Sequence, residues 1–175
     1  TATAVFGRFN EELFERAGQL RWVQTLGAGV DGLLFPAFVA SDIVLTSEKG
    51  YVGQHLAEQA FALLLALTRG VARAVREQTW DNKWEIRSEC WELTDRTLGI
   101  VGFGGTGREV ARRGEAFGMR LLAVDPEPIE RPPSLEAVWG LDNLDQLLRE
   151  SDAVIICAPL TPATRGMFNL DAFQQ

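Results

Sequence analysis

The sequence TLGIVGFGGTGREVARRGEAFGMRLLAVD, residues 97–125, contains the pattern that decides the fold. A short apolar run is followed by three glycines in the spacing G-x-G-x-x-G, a helical segment, and a second apolar run that ends in Asp125. This order predicts a strand, a tight turn, a helix and a second strand. Units of this kind predict an α/β fold with a doubly wound parallel sheet.

The three glycines have separate roles in a turn of this type. Gly102 allows the sharp turn after the strand, Gly104 leaves room for a pyrophosphate, and Gly107 lets the helix pack closely on the sheet. The backbone N–H groups of Gly105 and Thr106 then face the phosphates at the positive end of the helix. The pattern therefore predicts a dinucleotide site, and the alternative is an ordinary strand-to-helix turn.

Asp125 predicts which dinucleotide binds. It lies 18 residues after Gly107, at the tip of the second strand, where its carboxylate can accept both hydroxyls of the adenosine ribose. A 2'-phosphate would be repelled by roughly 4 kcal/mol at a separation of about 4 Å and an effective dielectric of about 20. Pro126 and Glu127 follow, and no adjacent arginine is present to receive that phosphate. We therefore expect NAD rather than NADP, with Asp125 and its neighbour Pro126 in the cofactor site.

The composition limits the classes of protein and partner. The chain has 175 residues, 46% of them hydrophobic, which suffices for one full domain or two incomplete ones. Its net charge of -7 argues against nucleic acid or an anionic membrane as a partner. Two cysteines and one histidine provide no disulfide framework and no zinc-type cluster, so no metal site is predicted. The longest apolar run is far too short for a membrane span and no signal-peptide pattern is present, so we expect a cytoplasmic protein.

Residues 1–50 alternate short apolar runs with helical or loop segments, which predicts small parallel-sheet units. Strands are expected at residues 2–6, 20–24 and 43–45. Asn10 is expected to cap one helix, and Asp31 to be the N-cap of another.

The segment Gly27-Ala28-Gly29 follows the second of these strands. Its backbone N–H groups could hold a carboxylate. The alternative is a tight turn built from small residues because space is short.

The middle of the chain contains a helical segment, residues 55–68, that is apolar on nearly every face, which predicts a buried helix. A more polar helix is expected at residues 71–79. Three tryptophans between residues 80 and 91 follow in a stretch expected to be irregular, where they either anchor a partner surface or cover the edge of their own domain. His55, the only histidine, is given a structural rather than a catalytic role.

Prolines between residues 126 and 133 predict a loop, and residues 141–150 an amphipathic helix. Residues 153–157 form a continuous apolar run, which predicts a parallel strand buried on both faces. The loop of residues 158–164 follows at the carboxyl end of that strand, so we expect it to border the cofactor. Asn169 is expected to begin a further helix.

Four segments in this order resemble the NAD-dependent D-isomer-specific 2-hydroxyacid dehydrogenases. They are WVQTLGAGVD, HLAEQAFALLLALTR, LGIVGFGGTGREVARRGEAFGMRLLAVDP and SDAVIICAPLTPATRGMFN. The resemblance implies an NAD-binding Rossmann domain at residues 74–175, incomplete at its C-terminal end, and part of a flavodoxin-like substrate domain at residues 1–73. It also implies hydride transfer between nicotinamide and a small D-2-hydroxy acid or 2-keto acid. The alternative is an NAD-binding interaction protein like the transcriptional corepressors that share this fold.

The same resemblance assigns site residues. The turn at Ala28 and Gly29 would bind the substrate carboxylate through its backbone amides. Members of the family often have histidine where this chain has Cys157, which we expect to affect how the adenine is covered. The family's cofactor contacts carry over to Gly104, Gly105, Thr106, Asp125, Ala158, Pro159 and Thr164.

The catalytic arginine, glutamate and histidine of the family would lie beyond the point that matches Gln175. The N-terminal strands of the substrate domain are also missing from the pattern. We therefore expect a fragment that lacks both ends, contains no catalytic residue, and has no reductase activity by itself. In the intact protein, residues 55–68 and 80–91 are expected to form the interface of a homodimer, as in the resembling family.

Overall fold

The computed structural model describes residues 2–174 and contains two parallel β-sheets, each with its own core. Contacts divide the chain into two compact units. The first unit comprises the residues up to Val52 together with Pro159–Gly166, and the second comprises Gly53–Ala158 with the residues from Met167 onward. A substrate domain that ends at residue 73 stays a prediction, because a division by contacts assigns no function to either unit.

The first unit is a three-stranded parallel sheet in the order β1-β2-β3, with short helices in its connections. Its elements are β1 (Ala4–Phe6), α1 (Glu11–Arg16), β2 (Trp22–Gln24), a 3-10 turn (Asp31–Leu33), α2 (Pro36–Val39) and β3 (Val44–Thr46). Val23 in the central strand pairs with Val5 and Leu45 and is fully buried. The rings of Phe9 and Phe38 complete this core with centroids 5.5 Å apart.

The two helix caps predicted in this unit have different outcomes. Asn10 caps α1, since its Oδ1 accepts a hydrogen bond from the Leu13 N–H at 3.0 Å. Asp31 is not an N-cap, because Val30 occupies that position and Asp31 is the first residue of the 3-10 turn. The Asp31 carboxylate lies back over the preceding turn, 3.4 Å from where a Cβ on Gly29 would stand.

The second unit is a four-stranded parallel sheet in the order β6-β5-β4-β7. Its helices are α3 (Gly53–Thr68), α4 (Val71–Glu77), α5 (Lys83–Glu89), α6 (Gly105–Ala116) and α7 (Leu144–Glu150), and its strands are β4 (Thr97–Val101), β5 (Arg120–Val124), β6 (Ala137–Trp139) and β7 (Ala153–Ile156). Leu98 and Ile100 of β4 belong to a core with α3 and α6, whereas Val101 belongs to a core with α7. Helices therefore cover both faces of the sheet, and the predicted doubly wound α/β fold is confirmed.

Helix α3 packs on α6 through one face. The rings of Phe61 and Phe117 stack with centroids 5.3 Å apart, and the Glu58 carboxylate lies 3.0 Å from the Arg113 guanidinium. The opposite face is exposed, with Leu67 72% accessible. The predicted helix is confirmed, but the expectation that nearly every face is buried is wrong for the single chain, since only one face meets α6.

Helix α5 replaces part of the tryptophan-containing stretch that was expected to be irregular. It is held against α4 by Arg73, whose guanidinium lies 2.8 Å from the carboxylates of both Glu85 and Glu89. These contacts join residues distant in sequence, so the local pattern did not predict them. Trp84 lies within α5 and is exposed.

Strand β6 was also not predicted. It extends the sheet by pairing with β5, with Val138 opposite Ala123. The preceding residue, Glu136, binds Arg120 at the start of β5 with an O–N distance of 2.6 Å, and this contact lowers the pKa of the Glu136 carboxyl. The three residues of β6 are too few to predict a strand from sequence; the strand forms because it pairs with β5 and because Glu136 binds Arg120.

The last predicted elements are shorter or less buried than expected. Strand β7 lies at the edge of the sheet within the described residues. Its Ile155 and Val154 pack on the cores of opposite faces but are only partly buried, and Ile156 is exposed, so the strand is less buried than expected. A helix was expected to begin at Asn169, and the described residues contain a 3-10 turn at Ala172–Gln174. The Asn169 side chain accepts a hydrogen bond from the Ala172 N–H at 3.0 Å.

Candidate cofactor and substrate sites

The order in which strands are added to the second sheet changes side at β4. Strands β5 and β6 lie on one side of β4, and β7 lies on the other. A crevice opens beyond the carboxyl ends of the two strands at such a switch point, and ligands of doubly wound sheets bind there. Gly102, which follows β4, and Ala158, which follows β7 and Cys157, meet at this position: a Cβ on Gly102 would lie 2.7 Å from the Ala158 nitrogen.

Packing explains two of the three glycines in the turn. Gly102 has φ +92°, a conformation that favours glycine, and it is in contact with Ala158. A Cβ on Gly107 would overlap the carbonyl oxygen of Gly102, so α6 can approach β4 only with glycine there. Gly104 differs, because a Cβ on it would meet no atom within 4 Å. Nothing in the folded chain requires glycine at 104, which leaves an open space suited to a ligand.

The N-terminus of α6 opens onto the same space. Gly104 is the N-cap and supplies no side-chain cap. The N–H groups of Gly105 and Thr106 have no intrahelical acceptor, and the described residues provide no other acceptor for them. In a helix of 12 residues these unpaired donors and the helix dipole favour an anionic ligand such as a pyrophosphate.

The Asp125 carboxylate is fixed at the end of β5. One oxygen accepts the Phe103 N–H at 2.6 Å, and the other accepts the Glu127 N–H at 3.0 Å. Each carboxylate oxygen can accept a further hydrogen bond, so both can still meet a ribose hydroxyl. Asp125 is half-buried and Pro126 beside it is exposed. The geometry fits the adenosine half of a dinucleotide.

Three residues around the glycine turn were not predicted from the sequence. Phe103 supplies the N–H that orients Asp125, and the Arg108 guanidinium lies over its ring, 4.9 Å from the centroid. The position of Phe103 between the first two glycines of the turn could have indicated this role, since the backbone N–H of any residue at that position would be available to Asp125. Gly53 at the start of α3 lies against the N-terminus of α6, since a Cβ there would lie 3.0 Å from the Gly105 oxygen.

Cys157 lies at the end of β7, next to Ala158. Burial raises the pKa of its thiol to about 11. At neutral pH the thiol is therefore protonated and neutral, and Cys157 acts as a small apolar group beside the crevice.

Pro159 and Thr164, also predicted to contact the cofactor, belong by contacts to the first unit. The Thr164 hydroxyl donates to the Pro159 carbonyl at 2.7 Å and accepts from the Thr161 N–H at 2.9 Å. These bonds close the loop after β7 into a compact turn. The role of both residues in cofactor binding stays a prediction.

The turn predicted to bind a carboxylate is organised by Thr25. Its hydroxyl accepts the Gly27 N–H at 2.9 Å and donates to the Gly27 carbonyl at 3.0 Å. The N–H groups of Ala28 and Gly29 donate to no acceptor within residues 2–174. A cavity of about 460 Å³ adjoins the turn, and Gly29 lines it.

His55 lies in the first turn of α3 and is exposed, although a buried helix was expected. No acid or base partner for its imidazole occurs among the described residues. The same part of the chain has no group of three or more His, Cys, Asp or Glu side chains that could hold a metal ion. None of its helices is long and apolar enough to cross a membrane.

Comparison with known proteins identifies the relatives of this chain. The family model described as "D-isomer specific 2-hydroxyacid dehydrogenase, NAD binding domain" matches residues 61–175. A hydroxypyruvate reductase from Thermotoga maritima is 34% identical over 92% of this chain and 51% of its own length. A glyoxylate reductase from Pyrococcus furiosus is 35% identical over 95% of this chain and 52% of its own length. The chain thus spans about half the length of the curated relatives it matches.

A solved structure has a similar fold. D-Lactate dehydrogenase from Aquifex aeolicus, complexed with NAD and lactic acid, superposes with a TM-score of 0.79. It is 30% identical, and the match covers 98% of this chain and 52% of that protein.

Proposed function

Because this chain belongs to the D-isomer specific 2-hydroxyacid dehydrogenase family, we propose that the full-length protein transfers a hydride between NAD and a small D-2-hydroxy acid or its 2-keto acid. The observation that carries the proposal is the combination of Gly104, which packs on nothing, with the oriented carboxylate of Asp125 at the same sheet edge. An ordinary strand-to-helix turn would need neither feature. The names of the hydroxypyruvate and glyoxylate reductase relatives support the substrate class.

In this proposal the chain's own residues hold NAD along the carboxyl edge of the second sheet. The N–H groups of Gly105 and Thr106 bind the pyrophosphate, and Asp125 accepts the ribose hydroxyls. Ala158 and Pro126 bound the adenosine side. Pro159 and Thr164 complete the contacts from the loop after β7. When bound, NAD supplies or accepts the hydride.

The turn at Ala28 and Gly29 is the proposed anchor for the substrate carboxylate. Its unpaired N–H groups are donors of the kind that bind carboxylates in backbone nests. Anchoring one end of a small acid fixes the position of the neighbouring carbonyl carbon, and such positioning accounts for a large part of catalysis in two-substrate reactions. No described residue is proposed as the proton donor, since His55 is exposed and without a partner.

A steady-state assay of the full-length protein tests this function. Loss of NADH absorbance is followed with glyoxylate, hydroxypyruvate and pyruvate, and the reverse reaction is compared for D- and L-lactate. We expect oxidation of NADH by at least one 2-keto acid and reaction with the D-hydroxy acid only. Binding of NADH without turnover of any of these acids, or of oxaloacetate and 3-phosphohydroxypyruvate, would support an NAD-sensing interaction protein instead.

We also propose that the full-length protein is a homodimer in the cytoplasm. The exposed face of α3 carries an apolar surface formed by Leu56, Leu63 and Leu67, and the segment of residues 80–91, the other part of the predicted interface, exposes Trp80 and Trp84. Exposed apolar side chains of this kind suit a two-fold interface. The cytoplasmic location is supported by two free cysteines, Cys90 and Cys157.

A further inference from the structure

The cavity beside the carboxylate-binding turn has a second polar end. It lies in the first unit beyond the carboxyl ends of β1 and β2, where ligands of parallel sheets bind. Gly29 borders it from the turn after β2, and Arg8 borders it from the segment after β1. Two chain segments that follow neighbouring strands therefore meet around one space.

Arg8 is a cation without a partner. Within residues 2–174 its guanidinium has no carboxylate at ion-pair distance and no hydrogen-bond acceptor. The sequence contains 24 acidic and 17 basic residues, so carboxylates are in excess and an arginine left unpaired is available for a ligand. A guanidinium presents several N–H donors in a planar fork, which matches carboxylate and phosphate groups.

Much of the remaining lining is apolar. Leu13, Leu26 and Leu33 contribute to it. The unpaired N–H of Gly29 suits one anionic group, and the Arg8 guanidinium suits another. A volume of about 460 Å³ is far larger than a two- or three-carbon acid requires.

From this arrangement we infer that the preferred substrate carries a second anionic group, a carboxylate or a phosphate ester, and that Arg8 binds it while the turn at Gly29 binds the carboxylate next to the reacting carbon. The inference rests on the proposed function, because it concerns the substrate of that same reaction. Arg8 is then a specificity-determining residue. A substrate with one anionic group would leave the guanidinium unused.

Two matched pairs of 2-keto acids test this inference in the full-length protein. Hydroxypyruvate is compared with 3-phosphohydroxypyruvate, and pyruvate with oxaloacetate, so that each pair differs only in the second anionic group. The variants are Arg8→Gln, which removes the charge, and Arg8→Lys, which keeps the charge but loses the fork. Arg21→Gln is the control, since Arg21 is an exposed arginine of the same unit that does not line the cavity.

We expect Arg8→Gln to lower kcat/KM for one or both dianionic acids about 10- to 100-fold and to change the values for the monoanionic acids less than about twofold. The Arg8→Lys variant should be intermediate, and Arg21→Gln should resemble the wild type. The pair in which the effect appears identifies a phosphate or a carboxylate as the second group. Equal losses for both members of each pair, or no loss, would overturn the inference.

A binding measurement separates failure of this inference from failure of the proposed function. Each dianionic acid is titrated calorimetrically into the wild type and into Arg8→Gln, which requires no turnover. Weaker binding in the variant supports the Arg8 site even where no NADH is oxidised. Equal binding by both proteins overturns it even where the protein proves to be an active reductase.

Discussion

The Phe103 backbone N–H donates a hydrogen bond of 2.6 Å to the Asp125 carboxylate. This bond joins the glycine turn after β4 to the end of β5, so the acid proposed to bind the ribose is held by the turn proposed to bind the pyrophosphate. Two proposed cofactor contacts are therefore coupled by one backbone donor. A change at either position is expected to affect the other.

The first prediction concerns cofactor choice. The wild-type protein should bind NADH more tightly than NADPH, because the Asp125 charge repels a 2'-phosphate at about 4 Å by roughly 4 kcal/mol at an effective dielectric of about 20. Asp125→Asn should reduce the ratio of the NADPH and NADH dissociation constants at least tenfold, with Asp81→Asn as a control at an exposed loop position. The ratio is measured by fluorescence titration. Equal affinity of the wild type for both nucleotides would contradict the assignment.

The second prediction separates binding from packing in the glycine turn. Gly104→Ala should change the free energy of unfolding by less than about 1 kcal/mol, since its Cβ meets no atom within 4 Å. The same variant should weaken NADH binding at least tenfold by occupying the space for the pyrophosphate. Urea denaturation and calorimetry measure the two effects.

Gly107→Ala is the matched comparison. Its Cβ would overlap the Gly102 carbonyl oxygen, so α6 must move away from β4. Overpacking of this kind costs about 1–3 kcal/mol, and we expect a loss of stability in that range. A Gly104→Ala protein that bound NADH as the wild type does would remove Gly104 from the cofactor site.

The sequence allowed the fold class to be predicted because the information in residues 97–125 is local. The glycine spacing, the flanking apolar runs and Asp125 lie in one unit of strand, turn, helix and strand, and all appear in the structure. Helix α5 and strand β6 were missed for the opposite reason. Their positions depend on partners elsewhere in the chain, Arg73 for α5 and strand β5 for β6.

The residues of the candidate sites also divide into those that a local sequence pattern predicts and those that depend on the folded structure. Glycines and an acid at fixed spacing are visible in a sequence, whereas the Phe103 donor is a backbone group that no residue type marks. The cavity with Arg8 was not foreseen, because it arises only when the segments after β1 and β2 are placed side by side. The exposed face of α3 was expected only as part of a dimer interface, because an apolar helix has the same pattern whether another part of the chain or a second copy covers it.

The third prediction concerns the dimer. Leu67→Glu places a charge on the apolar surface of α3 and should raise the dimer dissociation constant at least about tenfold, because the charge would lose its water on association. Leu170→Glu is the control, since Leu67 and Leu170 are equally exposed, 72% each, and Leu170 lies outside that surface. Sedimentation equilibrium measures both variants. A monomeric wild type at micromolar concentration would count against the proposed interface.

The fourth prediction follows from the raised pKa of Cys157, about 11. In a variant in which every cysteine except Cys157 is replaced by alanine, alkylation by iodoacetamide at pH 7.5 should be more than about a hundredfold slower in the native state than in urea, since an ordinary thiol has a pKa of about 8.5. A raised folded-state pKa contributes stability that is present below the unfolded pKa and is lost as pH rises through about 11. Because the thiolate is the form that reacts, and its fraction in the native protein grows until the pH passes the folded-state pKa, the native labelling rate should keep rising up to about pH 11. Equal rates in the native and unfolded states at pH 7.5 would show that the thiol is not shielded.

The most direct test of the central claim, that the turn at Gly104–Gly107 is the NAD site, is hydrogen–deuterium exchange of the full-length protein with and without NADH. The N–H groups of Gly105 and Thr106 have no acceptor among the described residues, so they should exchange rapidly in the free protein. With saturating NADH, exchange in peptides covering residues 102–107 should slow, while peptides covering residues 27–30 should not change. Unchanged exchange at residues 102–107 in a protein shown by calorimetry to be saturated with NADH would contradict the account.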